Sequence, residues 1–161
     1  MQESHNRLLY PYILKEFNNR WFLVGWKQGD DKDKVMTLAL DRIKGIDYDL
    51  KQTFRSNGFD ADAYYAHTYG VTVMPPEHVK EVILEIDRSN APYVLTKPFH
   101  HSQEVVERRK DGSVVISMQV HQNFELERLI LGFGDSIKVL APRLLKNRIK
   151  KKLKGALEKY D

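Results

Sequence analysis

The chain has 161 residues, of which 42% are hydrophobic and 30% charged, with a formal net charge of +4 and no cysteine. This length suits one domain with a good core or two small ones, and the composition is typical of a folded globular protein. The absence of cysteine excludes disulfides, thiolate metal sites and a cysteine nucleophile. No stretch approaches the roughly 18 apolar residues of a membrane helix, and residues 2–6 do not resemble a signal peptide. We therefore expect a cytoplasmic protein that does not contact a membrane.

Positive charge is concentrated near the C-terminus. Seven basic residues and no acid lie between Arg143 and Lys154, so the rest of the chain is net acidic. Five of the seven form the candidate basic patch: Lys146, Arg148, Lys150, Lys151 and Lys154. A basic patch suits a polyanion, whereas a lysine-rich helix face is more often simply solvated. The sequence leaves both interpretations open.

The first half of the chain has the alternation of antiparallel strands. Strands are predicted over residues 7–17, 20–26, 35–40 and 43–50. Asn18-Asn19 tolerates positive φ and predicts a tight hairpin, Pro11 suits an edge or a bulge, and Gly45 suits a bend. Asp60 is the predicted N-cap of a short helix that Gly70 stops. Short, bent antiparallel strands predict a small β-barrel with an α+β fold overall.

Pro75-Pro76 marks the predicted domain boundary, which gives domains at residues 1–74 and 75–161. In the second domain, strands are predicted over residues 79–87, 103–109, 113–121 and 136–140, with helices over residues 90–96, 123–133 and 142–160. Asn123 is the predicted cap of the middle helix, and Leu145 and Ile149 begin the apolar stripe of the last one. This order predicts a ferredoxin-like βαββαβ domain with a C-terminal helix.

The sequence resembles a known pair of domains. Arg20-Trp21-Phe22-Leu23-Val24-Gly25-Trp26 and Leu40-Asp41-Arg42-Ile43 resemble the WYL domain, whose Trp-Tyr-Leu triplet is here Trp21-Phe22-Leu23. Residues 79–161 resemble the WCX extension that follows WYL domains, notably over residues 79–86, 99–103, 111–113 and 131–142. The two halves in this order make the resemblance fairly specific.

The resemblance implies the sensor half of a bacterial transcriptional regulator. WYL is an Sm-like β-barrel thought to sense a ligand, in several cases nucleic acid or a nucleotide, and WCX tends to contribute to dimerisation. It therefore implies a homodimer with a nucleic-acid or nucleotide-like effector and no cofactor. A dimerisation module without ligand is the alternative, and an enzyme is the least favoured interpretation, because no phosphate-binding loop, nucleophile elbow or zinc-protease motif occurs.

Three features depart from the family pattern. No DNA-binding domain precedes residue 7, and the first WYL helix and strand are missing. Two interpretations of Met1 stay open: it is a natural start, or it is a boundary within a longer regulator, of which this chain would be the sensor half. Ala39 stands where the family often has an arginine, which removes one expected anion contact. Phe22 replaces the tyrosine of the triplet and removes its hydroxyl.

Five residues of the first half are the main candidates for ligand binding. Arg42 follows a strand end, where its guanidinium can hold a phosphate with two hydrogen bonds, although it could instead pair with a neighbouring aspartate. Arg20 and Tyr12 could add a second cation and a stacking ring. Trp21 and Trp26 are expected to be in phase on one strand if Gly25 introduces an irregularity between them, and they would form barrel core or a wall on which a ligand stacks.

The second half has weaker candidates. Ser102 and Gln103 could make polar contacts to a ligand at the domain junction. His100-His101 is disfavoured as a metal site, because adjacent histidines on a strand would face opposite sides. No metal site is expected.

Overall fold

The computed structural model describes residues 6–29 and 34–160. The interpretation of Met1 therefore concerns residues outside the described part. The chain divides into two compact units, Met1–Ala66 and His67–Asp161. Each unit is described by itself below.

The first unit contains a three-stranded antiparallel sheet with the order β1-β2-β3, formed by β1 (Leu9–Phe17), β2 (Arg20–Lys27) and β3 (Val35–Ala39). Asn18 and Asn19 close the β1–β2 hairpin with φ values of 51° and 60°, which confirms the predicted turn. The β1–β2 register shifts between Pro11 and Ile13, so the bulge predicted from Pro11 is also present.

The predicted fourth strand is wrong. Leu40–Arg42 forms a short 3-10 helix after β3. Residues 43–50 belong to the described part of the chain and form no strand. The alternating apolar residues of this segment are solvent-exposed, at 72% for Ile46, 91% for Tyr48 and 94% for Leu50. Alternation alone does not make a strand, because a strand also needs a neighbour to pair its backbone groups.

A short helix, α1 (Ala61–Tyr65), ends the first unit. The Asp60 side chain accepts hydrogen bonds from the backbone N–H groups of Asp62 and Ala63, which confirms the predicted N-cap. The helix packs on the sheet through Lys15, whose Nζ lies 4.3 Å from the centre of the Tyr65 ring.

The second unit has the predicted β-α-β-β-α-β order followed by a helix. Its elements are β4 (Val79–Ile86), α2 (Ala91–Thr96), β5 (Glu104–Arg108), β6 (Val114–His121), α3 (Phe124–Gly132), β7 (Ile137–Ala141) and α4 (Arg143–Leu157). The four strands are antiparallel in the order β5-β6-β4-β7. The two central strands are thus β4 and β6, the first and third strands of the unit, as in the split βαβ motif.

The core of the second unit lies between one face of this sheet and the helices. The fully buried side chains include Leu84 of β4, Ile116 and Met118 of β6, Leu126 of α3 and Leu145 of α4. Burying each of these side chains contributes roughly 1.5–3 kcal/mol. This apolar layer fixes which faces of α3 and α4 remain in solvent.

Residues 67–72 belong to the second unit. The boundary between the two compact units therefore lies between Ala66 and His67, before Pro75-Pro76. The backbone N–H of His121 donates to the His67 carbonyl at 2.7 Å. The buried Glu125 carboxylate accepts from the backbone N–H groups of Val71 and Thr72 at 3.1 and 2.9 Å. These bonds attach the segment to β6 and to the start of α3, while the domain limits at Pro75-Pro76 stay a prediction.

We predict that Gly25→Ala destabilises the first unit. A Cβ at Gly25 would press against the backbone carbonyl oxygen of Tyr10, on the neighbouring strand at the bulge. Backbone cannot move aside as a flexible side chain can, so the expected loss is about 2 kcal/mol. Both tryptophans lie in this unit, so urea unfolding followed by tryptophan fluorescence measures it.

Gly45→Ala is the matched control for this substitution. No atom lies within 4 Å of a Cβ built at Gly45, so its unfolding midpoint should equal that of the parent. Equal midpoints for the Gly25 and Gly45 variants would contradict the steric argument.

Candidate functional site

Arg20, Asp41 and Arg42 meet at one corner of the first sheet. Phe22 pairs with Ala39 in the β2–β3 register, so the start of β2 lies beside the 3-10 helix that follows β3. Asp41 pairs with Arg20 at 3.2 Å. Arg42 is exposed and has no carboxylate within salt-bridge distance among the residues that the structure describes. The corner therefore presents a guanidinium that no described carboxylate neutralises and that can donate hydrogen bonds to an anion.

The two tryptophans lie on opposite faces of β2, so their predicted common phase is wrong. The side chain of Trp21 is 51% exposed, whereas Trp26 is 9% exposed and stacks on Tyr10 with ring centres 5.1 Å apart. The sheet irregularity lies in β1 after Pro11 and leaves β2 regular, so residues an odd number apart face opposite sides. Trp21 is thus available for stacking, and Trp26 is core.

Tyr12 belongs to an aromatic cluster. Its ring stacks on Phe59 with centres 4.6 Å apart, and its hydroxyl accepts a hydrogen bond from Asn57 Nδ2 at 3.2 Å. Phe59 in turn contacts Tyr64 of α1 at 5.3 Å between ring centres. One face of the Tyr12 ring is therefore already covered, which favours a packing role.

Ser102 and Gln103 make local hydrogen bonds within the second unit. The Ser102 hydroxyl accepts from the backbone N–H of Gln119 at 3.0 Å and bonds His100 Nδ1 at 2.8 Å. The Gln103 amide accepts from Phe99 N–H and donates to the Val94 carbonyl, both at 3.0 Å. These bonds hold the turn before β5 in place, and a contact with a ligand stays a prediction.

His100 and His101 lie in that turn and not on a strand, so the predicted opposite orientation is wrong. Their ring centres are 4.1 Å apart. Burial, together with His101, His67 and His121, lowers the pKa of His100 to about 4 from 6.5. Within the described part of the chain, no three histidine, aspartate or glutamate side chains are placed to hold a metal ion.

The basic residues of α4, including the candidate basic patch, separate into two groups. Arg148 and Lys152 both bind the buried Glu127 carboxylate of α3 at 2.6 Å, and Arg148 also donates to Gln122 at 2.9 Å. Burial would raise the pKa of Glu127, but hydrogen bonds from Lys152 and Arg148 outweigh burial and lower it. Arg148 therefore anchors α4 on α3, while Lys146, Lys150, Lys151 and Lys154 are exposed.

Comparisons with protein families agree with this two-unit architecture. Residues 1–48 match the WYL domain and residues 78–157 match the WCX domain. The chain carries a WYL domain followed by a WCX domain. The Arg20–Arg42 corner thus belongs to the WYL match, and α4 belongs to the WCX match.

One similar solved structure is proteasome accessory factor B/C (PafBC) of Arthrobacter aurescens. It is 19% identical, with a TM-score of 0.44, and the alignment covers 96% of this chain and 22% of that protein. The WYL–WCX chain thus spans about a fifth of the length of PafBC. A comparison with curated proteins finds no match. Each helix in residues 6–29 and 34–160 is too short or too polar to span a membrane.

Sequence reasoning missed several residues that organise these surfaces. Glu125 and Glu127 of α3 are both buried, whereas the apolar Phe124 at the start of the same helix is 48% exposed. The alternation of hydrophobic residues does not reveal a buried acid whose partners lie far away in the sequence. A preceding helix cap, Asn123, was the signal that could have located the acidic first turn.

Proposed function

We propose that this WYL–WCX chain is the ligand-sensing and dimerisation region of a transcriptional regulator. The WYL domain binds nucleic acid or a nucleotide-like anion, and binding controls an attached DNA-binding domain. The observation that carries this proposal is the corner at Arg42. Because Asp41 pairs with Arg20, the guanidinium of Arg42 is left to donate hydrogen bonds to a ligand. We propose no catalytic role.

The chemistry of this corner suits a phosphate group. A guanidinium can donate two parallel hydrogen bonds to one phosphate. Trp21 is half-exposed, but as the neighbour of Arg20 on β2 its side chain faces the other side of the sheet from the Arg20–Asp41 pair, so base stacking on its ring is not part of this corner. For such a ligand to act as a signal, it must bind two states of the regulator with different affinities.

Arg42→Ala is expected to weaken binding of single-stranded nucleic acid about tenfold or more, since a hydrogen bond to a charged group contributes about 1.5–3 kcal/mol. Fluorescence anisotropy with labelled single-stranded DNA, single-stranded RNA and duplex DNA at two salt concentrations measures the loss. Binding by the parent should weaken at higher salt, because displaced counterions drive the association.

Arg55→Ala is the control, because it removes the same charge from an exposed position of the same unit. It should bind like the parent. If Arg42→Ala binds as tightly as Arg55→Ala, the Arg42 corner is not the site. If the parent binds no nucleic acid at low salt, the nucleic-acid form of the proposal is overturned.

A dimerisation module without ligand is the second candidate. The observation that favours it is the apolar stripe at the end of α4 and just after it, where Leu153 is 43%, Leu157 64% and Tyr160 90% exposed. These side chains continue the buried row of Leu145 and Ile149 into solvent. A tight dimer in sedimentation experiments, with no anion binding, would support this candidate over the first.

A further inference from the structure

We propose that the solvent face of α4 is a second binding surface, which takes the phosphate backbone of a nucleic acid. This face is named here the outer stripe, and its residues are Arg143, Lys146, Lys150, Lys151 and Lys154. It goes beyond the proposed function above, because it lies in the WCX domain and does not require Arg42.

The orientation of α4 is fixed from inside the second unit. Leu145 and Ile149 are 0% and 5% exposed and face the core. With 3.6 residues per turn, the outer stripe then lies on the opposite side, where all five of its residues are exposed. The position of the stripe on the solvent side of α4 therefore follows from the way Leu145 and Ile149 pack in the core.

The acid on the neighbouring helix does not neutralise this stripe. Both oxygens of the Glu127 carboxylate are taken, by Arg148 and by Lys152. Those two cations flank the stripe and point to α3. Seven basic residues of one helix are thus divided into two that have a structural partner and five that face solvent.

Within the stripe, one cation has an acidic neighbour in the described part of the chain. Lys154 lies 3.9 Å from Glu158, and the two side chains are 80% and 63% exposed. Such a solvent-exposed pair contributes little and is screened by salt. The other four have no carboxylate within salt-bridge distance among residues 6–29 and 34–160, so the stripe keeps a high local positive potential.

The spacing of the charges favours a linear ligand. From Arg143 to Lys154 the helix rises about 16 Å, at 1.5 Å per residue, and basic residues one turn apart lie about 5–6 Å from each other. Charges arranged along a line contact successive phosphates of one strand, whereas a single mononucleotide would reach one or two of them. The geometry therefore suits a nucleic-acid backbone and predicts little dependence on base sequence.

An anionic membrane fits the same face less well. Helices that bind the membrane interface insert an apolar face next to their cations. Here the apolar row begins with Leu145 and Ile149, which the core covers. The exposed apolar side chains of α4 are Leu144, at 71%, in its first turn and Leu153 and Leu157, at 43% and 64%, near its end. The middle of the outer stripe, around Lys146 to Lys151, therefore offers charge with little apolar surface for a membrane to cover.

The test compares two triple variants with the same net charge. The first, Lys146→Gln/Lys150→Gln/Lys154→Gln, removes the middle and end of the outer stripe. The second, Lys80→Gln/Lys97→Gln/Lys110→Gln, removes three exposed lysines elsewhere in the second unit. The probes are a short labelled single-stranded oligonucleotide of mixed sequence and vesicles that contain phosphatidylserine.

We expect the stripe variant to bind the oligonucleotide at least tenfold more weakly than the control variant. The slope of log affinity against log salt should become shallower by about 2, since each phosphate contact on a single strand contributes about 0.7. Equal affinities and slopes for the two variants would overturn the proposal. Parent binding to the vesicles, with no oligonucleotide binding, would also overturn it.

The Arg42→Ala variant and the stripe variant test the two proposed binding sites separately. If Arg42→Ala abolishes binding while the stripe variant binds like the control, the outer stripe is rejected and the WYL site stands. If the stripe variant loses the salt-dependent binding while Arg42→Ala keeps it, the stripe is supported and the corner is rejected. Circular dichroism of each variant verifies that α4 remains folded.

Discussion

Asn123→Asp should destabilise the second unit by about 4 kcal/mol, as expected when buried hydrogen-bond partners are lost and an unpaired charge is introduced. In the parent, Asn123 Oδ1 accepts from the Leu126 N–H at 2.9 Å and caps α3. Its Nδ2 donates to the carbonyl oxygens of Tyr69 and Thr72, both at 2.9 Å. The side chain thus holds the segment before Pro75 on the start of α3.

The substitution separates these two roles. Aspartate caps helices as well as asparagine does, so the cap survives. An ionised aspartate, however, cannot donate a hydrogen bond. It would place a carboxylate oxygen opposite the two carbonyl oxygens and near the Glu125 carboxylate. The loss of stability therefore reports the attachment of residues 69–72 and not the cap.

Amide hydrogen exchange of β6 and α3 measures this loss, because no tryptophan lies in the second unit. Exchange there should accelerate, while the tryptophan fluorescence transition of the first unit serves as an internal reference. Asn147→Asp makes the same chemical change at an exposed position of α4 and should have no effect. A change below about 1 kcal/mol for Asn123→Asp, the size of one ordinary hydrogen bond, would contradict this role.

Local signals explain what the sequence predicted well. The Asn18-Asn19 turn, the Asp60 cap and the Asn123 cap each depend on residues within four positions of one another. The β-α-β-β-α-β order of the second unit follows from hydrophobic periodicity over whole segments. Such features are readable because their cause lies inside the segment that shows them.

The wrong predictions depend on non-local contacts. The phase of Trp21 and Trp26 is set by where the sheet absorbs its extra residue, and this is β1 after Pro11, not Gly25. Residues 43–50 alternate like a strand but have no pairing partner in the described sheet. Neither property is encoded in the segment itself, so periodicity alone misassigned both.

The candidate site shows the same limit. The sequence identified Arg42 as a cation after a strand end. Whether Arg42 is available to bind an anion depends on Asp41, which pairs with Arg20 and not with Arg42. In the same way, Arg148 belongs to the predicted basic patch, yet it forms a salt bridge with Glu127 on the preceding helix and so helps to pack α4 on α3. Sequence can thus name the charged residues, and structure decides which of them are free to bind.

The second unit should lose stability as the pH falls from about 6.5 to about 4, because of His100. Its Nδ1 accepts from the backbone N–H of Ser102 at 3.2 Å and bonds the Ser102 hydroxyl at 2.8 Å. These contacts suit a neutral ring that accepts at Nδ1. His100 is 8% exposed, and burial and the neighbouring histidines lower its pKa to about 4.

The direction of the effect follows from which state binds the proton. Below about pH 6.5 the unfolded chain protonates His100, whereas the folded chain stays neutral until about pH 4. Acid therefore favours unfolding, and a shift of this size corresponds to a loss of about 3 kcal/mol. The lowered pKa of His121, which burial and nearby His67 and His78 cause, acts in the same direction.

His100→Asn tests the assignment, because the Asn amide oxygen can replace Nδ1 as the acceptor but does not titrate in this range. Hydrogen exchange of β6, measured at several pH values, should show a flatter pH dependence of stability for this variant. His78→Asn removes an exposed histidine and should keep most of the parent's slope. If both variants keep the full slope, the acid sensitivity arises elsewhere and His100 is not its source.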